Sequence, residues 1–486
     1  MSIYGEHLRI LDLSLSGAVI SHSLFEAAHN LTDFYGETVS ISWKSLDVIK
    51  EMEKLQHLCL RRATIKWEFE VRKVWSYFPP SLKSLDISGL DLTSIDIYMT
   101  MEFLEKFSAS QNQLTEIDHM DLMPSLLYLD LSRNQLDYAP FTHGTQLPLR
   151  YVNLSHNALS IIDEDTLHIF PFLEILDLSF NHIYHLETVI FNKLQMLTNL
   201  SLEGNYLTQF SFGYANQLKY LNLRNTRLTH VNLENMYMPR LKALMLGDNP
   251  DLLQATKECT LLHYPMTSAS KGHQCLPNWL PELSHFNSLT LLDLSDTGLA
   301  AWSPQVFTKL SNLKLLNLST NHLTVGALNM NSNHSINFCI PTLDLSKNNI
   351  SVLPQFALDW PKVCAKTLLL HSNPLVCDCK LRIFLENPEN FQLVNSEIYC
   401  TDEYGRVWSV DGYFANFDHE CDMKNSGHTV AMILIPILGI GLLLLFVGYK
   451  IRGSQRLKQT ARRLGATYKL LSINNDTEEL ESPVNV

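Results

Sequence analysis

Basic residues are scarce in this 486-residue chain, and enzyme motifs are missing from it. Lysine and arginine number 37 against 50 aspartates and glutamates, so the formal net charge is −13 at pH 7. Because no basic stripe is present to neutralise phosphates, this charge argues against a nucleic-acid partner. The sequence also has no GxSxG, HExxH, P-loop or dinucleotide-binding glycine pattern. We therefore expect a binding protein rather than an enzyme, with no cofactor and no metal site.

What the chain does have is a recurring leucine frame. The clearest copy is "LEILDLSFNHI", Leu173 to Ile183. Similar copies begin at Leu104, Leu126, Leu149, Leu197, Leu218, Leu289 and Leu313. The residues at the asparagine position of the frame are 21 to 24 apart, which is the period of a leucine-rich repeat; they are Asn112, Asn134, Asn157, Asn181, Asn205, Thr226 and Asn249. Each unit is too small to bury its own leucines, so stacked units must share one core. We assign the fold to the α/β class, as a horseshoe-shaped leucine-rich-repeat solenoid.

The asparagine of the frame stands where the strand turns out of the sheet. Its amide both donates and accepts, so it can satisfy backbone groups that would otherwise be buried without partners. Stacked copies predict an asparagine ladder along the solenoid. Thr226 and Thr297 keep one donor and one acceptor, so the ladder should weaken there without breaking. Phe191 and Phe307, each ten residues after a ladder position, should fill the convex side.

With these repeats, the chain resembles a transmembrane leucine-rich-repeat protein of the Toll-like receptor kind up to about residue 425. The frame is degenerate near the N-terminus, in the copies from Leu8, Leu55 and Leu82. We predict about sixteen repeats in all. The predicted parts are repeats over 1–375, a cysteine-rich cap over 376–422, a linker over 423–428, a membrane span over 429–449 and a cytoplasmic tail over 450–486. This tail is too short for the TIR signalling domain that the resemblance implies, so signalling would require a partner.

The predicted span is "TVAMILIPILGIGLLLLFVGY", Thr429 to Tyr449, with no charge in 21 residues. Such a helix is long enough for a hydrocarbon core of roughly 30 Å, and a buried globular helix is the alternative. Basic residues follow it at once: Lys450, Arg452, Arg456, Lys458, Arg462 and Arg463. The positive-inside rule then predicts a single-pass plasma-membrane protein with extracellular repeats and a cytoplasmic C-terminus.

The first residues conflict with that topology. "MSIYGEHLRILDLSLSG" has no basic n-region, no long apolar run and no small-residue cleavage site, so it is no secretory signal. It already reads as a repeat. We expect an N-terminally truncated sequence rather than a protein that natively lacks a signal.

Four cysteines near the end of the repeats resemble the C-terminal cap of extracellular leucine-rich repeats: Cys377, Cys379, Cys400 and Cys421. The resemblance implies disulfides from Cys377 to Cys400 and from Cys379 to Cys421. Spacing alone leaves the other two connectivities open. A zinc site is the competing interpretation, which an oxidising compartment disfavours.

The remaining cysteines can be argued from their phase in the repeat. Cys339 and Cys364 each lie nine residues before a ladder asparagine, so adjacent turns would bring them within reach of a disulfide. Cys259 and Cys275 bracket a segment in which the frame is lost, and a disulfide would tie it down. Cys59 is left as a free thiol, with an intermolecular bond as the alternative.

Short motifs predict modification and sorting. The extracellular sequons are Asn30, Asn153, Asn199, Asn317, Asn333 and Asn349, although the repeat consensus itself partly generates "NLS". Sugar at Asn153 or Asn317 would lie on the concave strand face, so large ligands would prefer a lateral edge or the irregular loop. In the tail, Tyr468 to Leu471 resembles an endocytic sorting signal, and the terminal Val486 resembles a PDZ ligand.

Large side chains in two columns of the strand face are the candidate ligand-binding residues. Tyr128, Tyr151 and Tyr220 share one column, and Arg133, His156 and Phe180 share the other. Aromatic and arginine side chains suit binding hot spots, although large exposed residues are also ordinary on such faces.

Two functional classes follow from this face and topology. The first is a cell-surface receptor, in innate immunity, that binds a protein or microbial ligand, forms homo- or heterodimers and signals through a partner. The alternative is an adhesion or structural protein that acts by pairing of solenoids.

Overall fold

The computed structural model describes residues 7–66, 71–141, 146–162, 167, 170–186, 188–211, 213–233, 236–253, 280–300, 307, 309–325, 340–353, 367–386 and 398–416. The chain forms two compact units, Met1–Val410 and Asp411–Val486.

One parallel sheet runs through the repeats, because the strands place an apolar central residue on the core side and their two flanking residues on the other side. Its central residues stack in register, as in Leu129 against Val152 and Val152 against Leu176. The described residues contribute fifteen strands to it: β1 (Ile10–Asp12), β3 (Asp33–Tyr35), β5 (His57–Cys59), β7 (Ser84–Asp86), β9 (Lys106–Ser108), β11 (Tyr128–Asp130), β12 (Tyr151–Asn153), β13 (Ile175–Asp177), β14 (Asn199–Ser201), β16 (Tyr220–Asn222), β18 (Ala243–Met245), β19 (Leu291–Asp293), β20 (Leu315–Asn317), β21 (Thr342–Asp344) and β22 (Thr367–Leu369). The predicted leucine-rich-repeat solenoid is therefore present.

Smaller sheets follow the ladder turns, and others close the C-terminal end. They comprise β2 (Val19–Ile20), β4 (Ser40–Ser42) and β6 (Thr64–Lys66); β8 (Ser94–Ile95) and β10 (Glu116–Ile117); β15 (Gln209–Ser211) and β17 (His230–Asn232); and β23 (Leu375–Val376), β24 (Tyr399–Thr401) and β25 (Val407–Ser409). All of these pairings are parallel except that of β24 with β25.

The α/β class assigned from the sequence overstates the helix content. The α-helices recorded among the described residues are α1 (His22–Ala27), α2 (Trp43–Lys50) and α3 (Cys379–Glu386). Elsewhere the return path uses 3₁₀ segments, at Val71–Tyr77, Met120–Leu122, Thr188–Lys193 and Leu280–His285. After a strand and a ladder turn, a repeat of 21 to 24 residues leaves too little chain for an α-helix of average length. The described fold is a β-solenoid.

The asparagine ladder is confirmed. Oδ1 of Asn181 accepts from the N–H of Leu159 at 3.0 Å, while Nδ2 donates to the carbonyls of Leu154 and Leu178 at 3.0 Å each. Two of these partners lie in the preceding repeat, so the amide holds adjacent turns together. The hydroxyl of Thr226 instead donates to Leu223 at 2.8 Å and to Asn249 at 3.2 Å, in its own and the following repeat.

The core consists of the frame leucines and a few large aromatic residues. Phe191 and Phe307 are buried, as the sequence predicts. Near the N-terminus the degenerate copies give β1, β5 and β7 in the common register. The sequence analysis missed β3, whose signal is the spacing of Leu31, Phe34 and Val39, all of which are buried.

A disulfide joins Cys377 to Cys400, the first pair that the resemblance implied. Cys379 is also disulfide-bonded, and Cys421 lies outside the described residues. The predicted pairs Cys339–Cys364 and Cys259–Cys275 lie outside them as well.

Among the described residues, no helix has the length and apolar character needed to cross a membrane. The apolar run 429–449 lies outside these residues.

Candidate functional site

The sheet face, as we call it, consists of the outward residues of the fifteen strands and of the ladder turns that follow them. Tyr128 and Tyr151 begin β11 and β12 and lie opposite each other in register. Their rings stack with centroids 4.3 Å apart and planes 5° apart. Tyr220 begins β16, and Ile175 and Asn199 lie between it and Tyr151 in the sheet. The structure thus brings two of the three predicted tyrosines together.

The second predicted column occupies the turn residue just before each ladder asparagine. Arg133, His156 and Phe180 all have left-handed backbones there, with φ of 57°, 55° and 53°. Nη2 of Arg133 lies 3.4 Å from Nε2 of His156, and the His156 ring stacks on Phe180 with centroids 4.5 Å apart. The row ends at Gly204, where a Cβ would lie 2.6 Å from the Phe180 ring. The missing side chain at Gly204 therefore leaves room for the Phe180 ring. The three side chains of this column already contact one another in the absence of a ligand.

Burial shifts the pKa values of the titratable side chains in both stacks in the direction that favours their neutral forms. Burial, followed by the nearby Arg133 charge, lowers the pKa of His156 below its usual value. The neutral imidazole can then accept from Arg133. Burial also raises the pKa values of Tyr128 and Tyr151. Both phenols therefore stay protonated near neutral pH and offer hydroxyl groups beside an apolar surface.

A cavity of about 470 Å³ adjoins Tyr128 on the sheet face, and the sequence analysis missed it. Its charged lining residues are Glu37, Arg61, Arg62, Asp86, Lys106 and Asp130. Arg61 donates twice to Asp86, from Nη2 at 2.6 Å and from Nε at 3.1 Å. Nη2 of Arg62 reaches over Gly89 to Oε1 of Gln111 at 2.9 Å. The sequence does contain a sign of this cavity, because Arg62 and Gln111 occupy the same frame position as Arg133. Their repeats match the leucine frame less closely.

The charges around this cavity balance, with three cations facing three anions. A polyanion such as nucleic acid would meet repulsion from Glu37, Asp86 and Asp130, whereas a protein surface of mixed charge would not. No cluster of possible metal-binding side chains occurs in the described part of the chain.

Several predicted sequons also lie on the sheet face. Asn153 ends β12 beside Tyr151, Asn199 begins β14, and Asn317 ends β20. Asn349 forms an isolated bridge with Thr324 instead.

The other predicted modification and sorting positions lie elsewhere. Asn30 lies outside the sheet strands, where its Oδ1 accepts from Lys54 at 2.6 Å. Cys59 is a free cysteine at the end of β5, and burial raises the pKa of its thiol. Asn333, Tyr468 and Leu471 lie outside the described residues.

This repeating parallel sheet, with its exposed outward side chains, defines a leucine-rich-repeat solenoid. A family model described as "Leucine rich repeat" matches residues 171–228. The chain is 26% identical to the CD180 antigen of Mus musculus over 325 residues, covering 64% of this chain and 45% of that protein. It is 30% identical to Toll-like receptor 3 of Boselaphus tragocamelus over 154 residues, covering 28% of this chain and 17% of that protein.

A solved structure shares the fold. The mouse RP105/MD-1 complex superposes with a TM-score of 0.51 at 19% identity, covering 80% of this chain and 71% of that chain. The chain spans less than half the length of the two curated relatives named above. The chain therefore carries leucine-rich repeats and is similar, over part of its length, to Toll-like receptor 3 and to the CD180 antigen.

Proposed function

We propose that the chain is a single-pass cell-surface receptor whose sheet face binds a protein or microbial ligand, and that Asn153, beside Tyr151, carries no sugar. The observation that carries this proposal is the stacked Tyr128–Tyr151 pair beside a cavity of balanced charge. Tyrosine provides a large contact area at a small cost in conformational entropy, which makes it frequent at binding hot spots. Because the two rings already stack, little further ordering opposes association.

A protein partner is the ligand class that we favour. The charged groups around the cavity suit a surface of mixed sign, and the mouse RP105 solenoid, which shares this fold, forms a complex with MD-1. Homo- or heterodimerisation remains part of the proposal. We propose that the receptor signals through a partner in innate immunity.

Adhesion by pairing of solenoids is the second candidate, because the cavity on the sheet face carries three cations and three anions and a second copy of the solenoid would present the same mixed charge to it. A bead assay separates the two candidates. Beads coated with the full chain should stay dispersed if the receptor proposal holds, while a panel of secreted proteins and microbial products should yield a saturable binder. Clustering of beads without any binder from the panel would favour adhesion instead.

The membrane topology is tested on cells. With a signal peptide added, an epitope at Val486 should be reached by antibody only after permeabilisation, because basic residues follow the apolar run. An epitope placed at Gly17 in the same protein serves as the extracellular control. Staining of the Val486 epitope on intact cells would overturn the proposed orientation.

A further inference from the structure

A second cavity, of about 390 Å³, lies outside the sheet face. We call it the lateral pocket. Three successive turns line it, each with residues that come after its ladder position instead of before it. Tyr184 comes from the first turn, Gln209 and Ser211 from β15, and His230 and Asn232 from β17. No residue of the proposed receptor site contributes to this pocket.

The pairing of β15 with β17 sets out a polar array. Gln209 lies opposite His230, and Ser211 lies opposite Asn232. Phe210, which separates Gln209 from Ser211 along β15, is buried. Because side chains alternate along a strand, Gln209 and Ser211 share the outward face, as do His230 and Asn232. The pocket therefore presents amide, hydroxyl and imidazole groups over a well-packed support.

The described residues that line this pocket include no aspartate, glutamate, lysine or arginine. This is unusual in a chain with 50 acidic residues, and it contrasts with the six charged residues around the cavity on the sheet face. Hydroxyl and amide groups both donate and accept hydrogen bonds. A ligand that matches this lining is consequently uncharged and rich in groups that both donate and accept hydrogen bonds.

Tyr184 adds an apolar contact. Its side chain is 57% exposed and stands in the lining, where the ring could pack against the C–H face of a sugar. A lipid would need a mostly apolar lining, and a sulfated or phosphorylated glycan would need arginine or lysine. We propose that the lateral pocket binds a neutral carbohydrate chain.

The test measures the binding of defined neutral hexasaccharides of glucose, mannose and N-acetylglucosamine to the purified full chain. At least one of them should bind saturably, and a heparin hexasaccharide should not compete. Gln209→Ala and Tyr184→Ala should each weaken the binding about tenfold, which corresponds to about 1.4 kcal/mol. Tyr184→Phe should retain most of it, since the ring is kept.

Tyr138→Ala is the matched control, because Tyr138 is also exposed but lies outside the pocket. Thermal unfolding shows that each variant is folded. Binding of the sugar should also survive Tyr151→Ala, which separates this site from the proposed receptor site. The proposal is overturned if no neutral hexasaccharide binds, if the pocket variants bind the sugar as the parent does, or if the heparin hexasaccharide competes with it.

Discussion

The ladder asparagine is the residue that makes one repeat depend on the next. At Asn181, one amide satisfies an N–H and a carbonyl of the preceding repeat and a carbonyl of its own. The carbonyl of Leu178 also accepts from Asn205, so each carbonyl can be shared by two ladder positions. The N–H of Leu159 donates to Asn181. It is therefore the backbone group that replacement of Asn181 affects most.

Replacement of Asn181 tests this account. Asn181→Leu should lower the free energy of unfolding by about 3 kcal/mol. It leaves the buried N–H of Leu159 unpaired and removes one hydrogen-bond donor from each of the carbonyls of Leu154 and Leu178. Asn181→Thr should cost less, since its hydroxyl can keep the bond to Leu178 as Thr226 does to Leu223. Thermal or denaturant unfolding of the full chain measures both. Equal stability of Asn181→Leu and the parent would contradict the hydrogen-bond role.

His156 gives a pH dependence with a definite sign. Its folded-state pKa is lowered, chiefly by burial and then by Arg133, so the folded state binds a proton more weakly than the unfolded state does. Its contribution to stability is thus complete above the unfolded pKa and is lost as the pH falls through the folded pKa. Protonation also removes the acceptor that Nε2 offers to Arg133.

An NMR titration of the His156 ring should find a pKa below about 6.5, the ordinary value. Arg133→Gln should raise it part of the way back, because the charge is removed while the larger effect, burial, remains. Gln at position 133 keeps a hydrogen-bond donor for the imidazole and so serves as the conservative change. A pKa of His156 at or above the ordinary value in the parent would refute the claim that burial and Arg133 lower it.

At the scale of elements, leucine and asparagine spacing was enough to place most strands of the sheet. That spacing is imposed by the core, which every repeat must meet in the same register. The return paths were not predictable in the same way, because a short segment can close a repeat as 3₁₀ turn, helix or bridge with similar burial. β3 was missed since Gly36 and Val39 stand where the frame normally has its third leucine and its asparagine.

One element junction, between β18 and β19, is bridged by charge as well as by the pairing of the strands. The repeat frame is interrupted between β18 and β19. Arg224, which follows β16, pairs with Asp248 at 2.5 Å and also with Asp293, which lies beyond the interruption. The side chain of Asp293 is only 6% exposed. Arg224 comes from one turn, Asp248 from the next and Asp293 from the turn after the interruption. This ion pair therefore links the repeats on both sides.

Arg224→Gln should destabilise the fold by about 3 kcal/mol, because it leaves the buried carboxylate of Asp293 without its cation. Arg150→Gln is the matched control, since Arg150 and Glu174 pair on the surface with both side chains well exposed. That change should cost less than about 1 kcal/mol. Denaturant unfolding gives both values, and equal losses in the two variants would show that burial of Asp293 contributes nothing special.

At the scale of the whole molecule, the sequence predicted which residues face outward but only part of the composition of the candidate site. The frame identified Tyr128, Tyr151, His156 and Phe180 as outward residues, and the structure stacks them in two pairs. The charged cavity beside them could not be predicted, because the way Arg62 crosses Gly89 depends on side-chain geometry between turns. The separation of Tyr220 from the pair, by contrast, was already implied by the number of intervening repeats.

The central claim is that the sheet face around Tyr128 and Tyr151 binds the ligand. Its most direct test is the affinity of the full chain on cells for the binder found in the panel, compared between Tyr128→Ala/Tyr151→Ala and the control Tyr138→Ala/Tyr214→Ala. Tyr138 and Tyr214 are exposed tyrosines outside the sheet strands. The sheet-face variant should weaken binding about a hundredfold, or about 2.8 kcal/mol, and the control should not change it. Unchanged affinity in the sheet-face variant, or an equal loss in both, would contradict the claim.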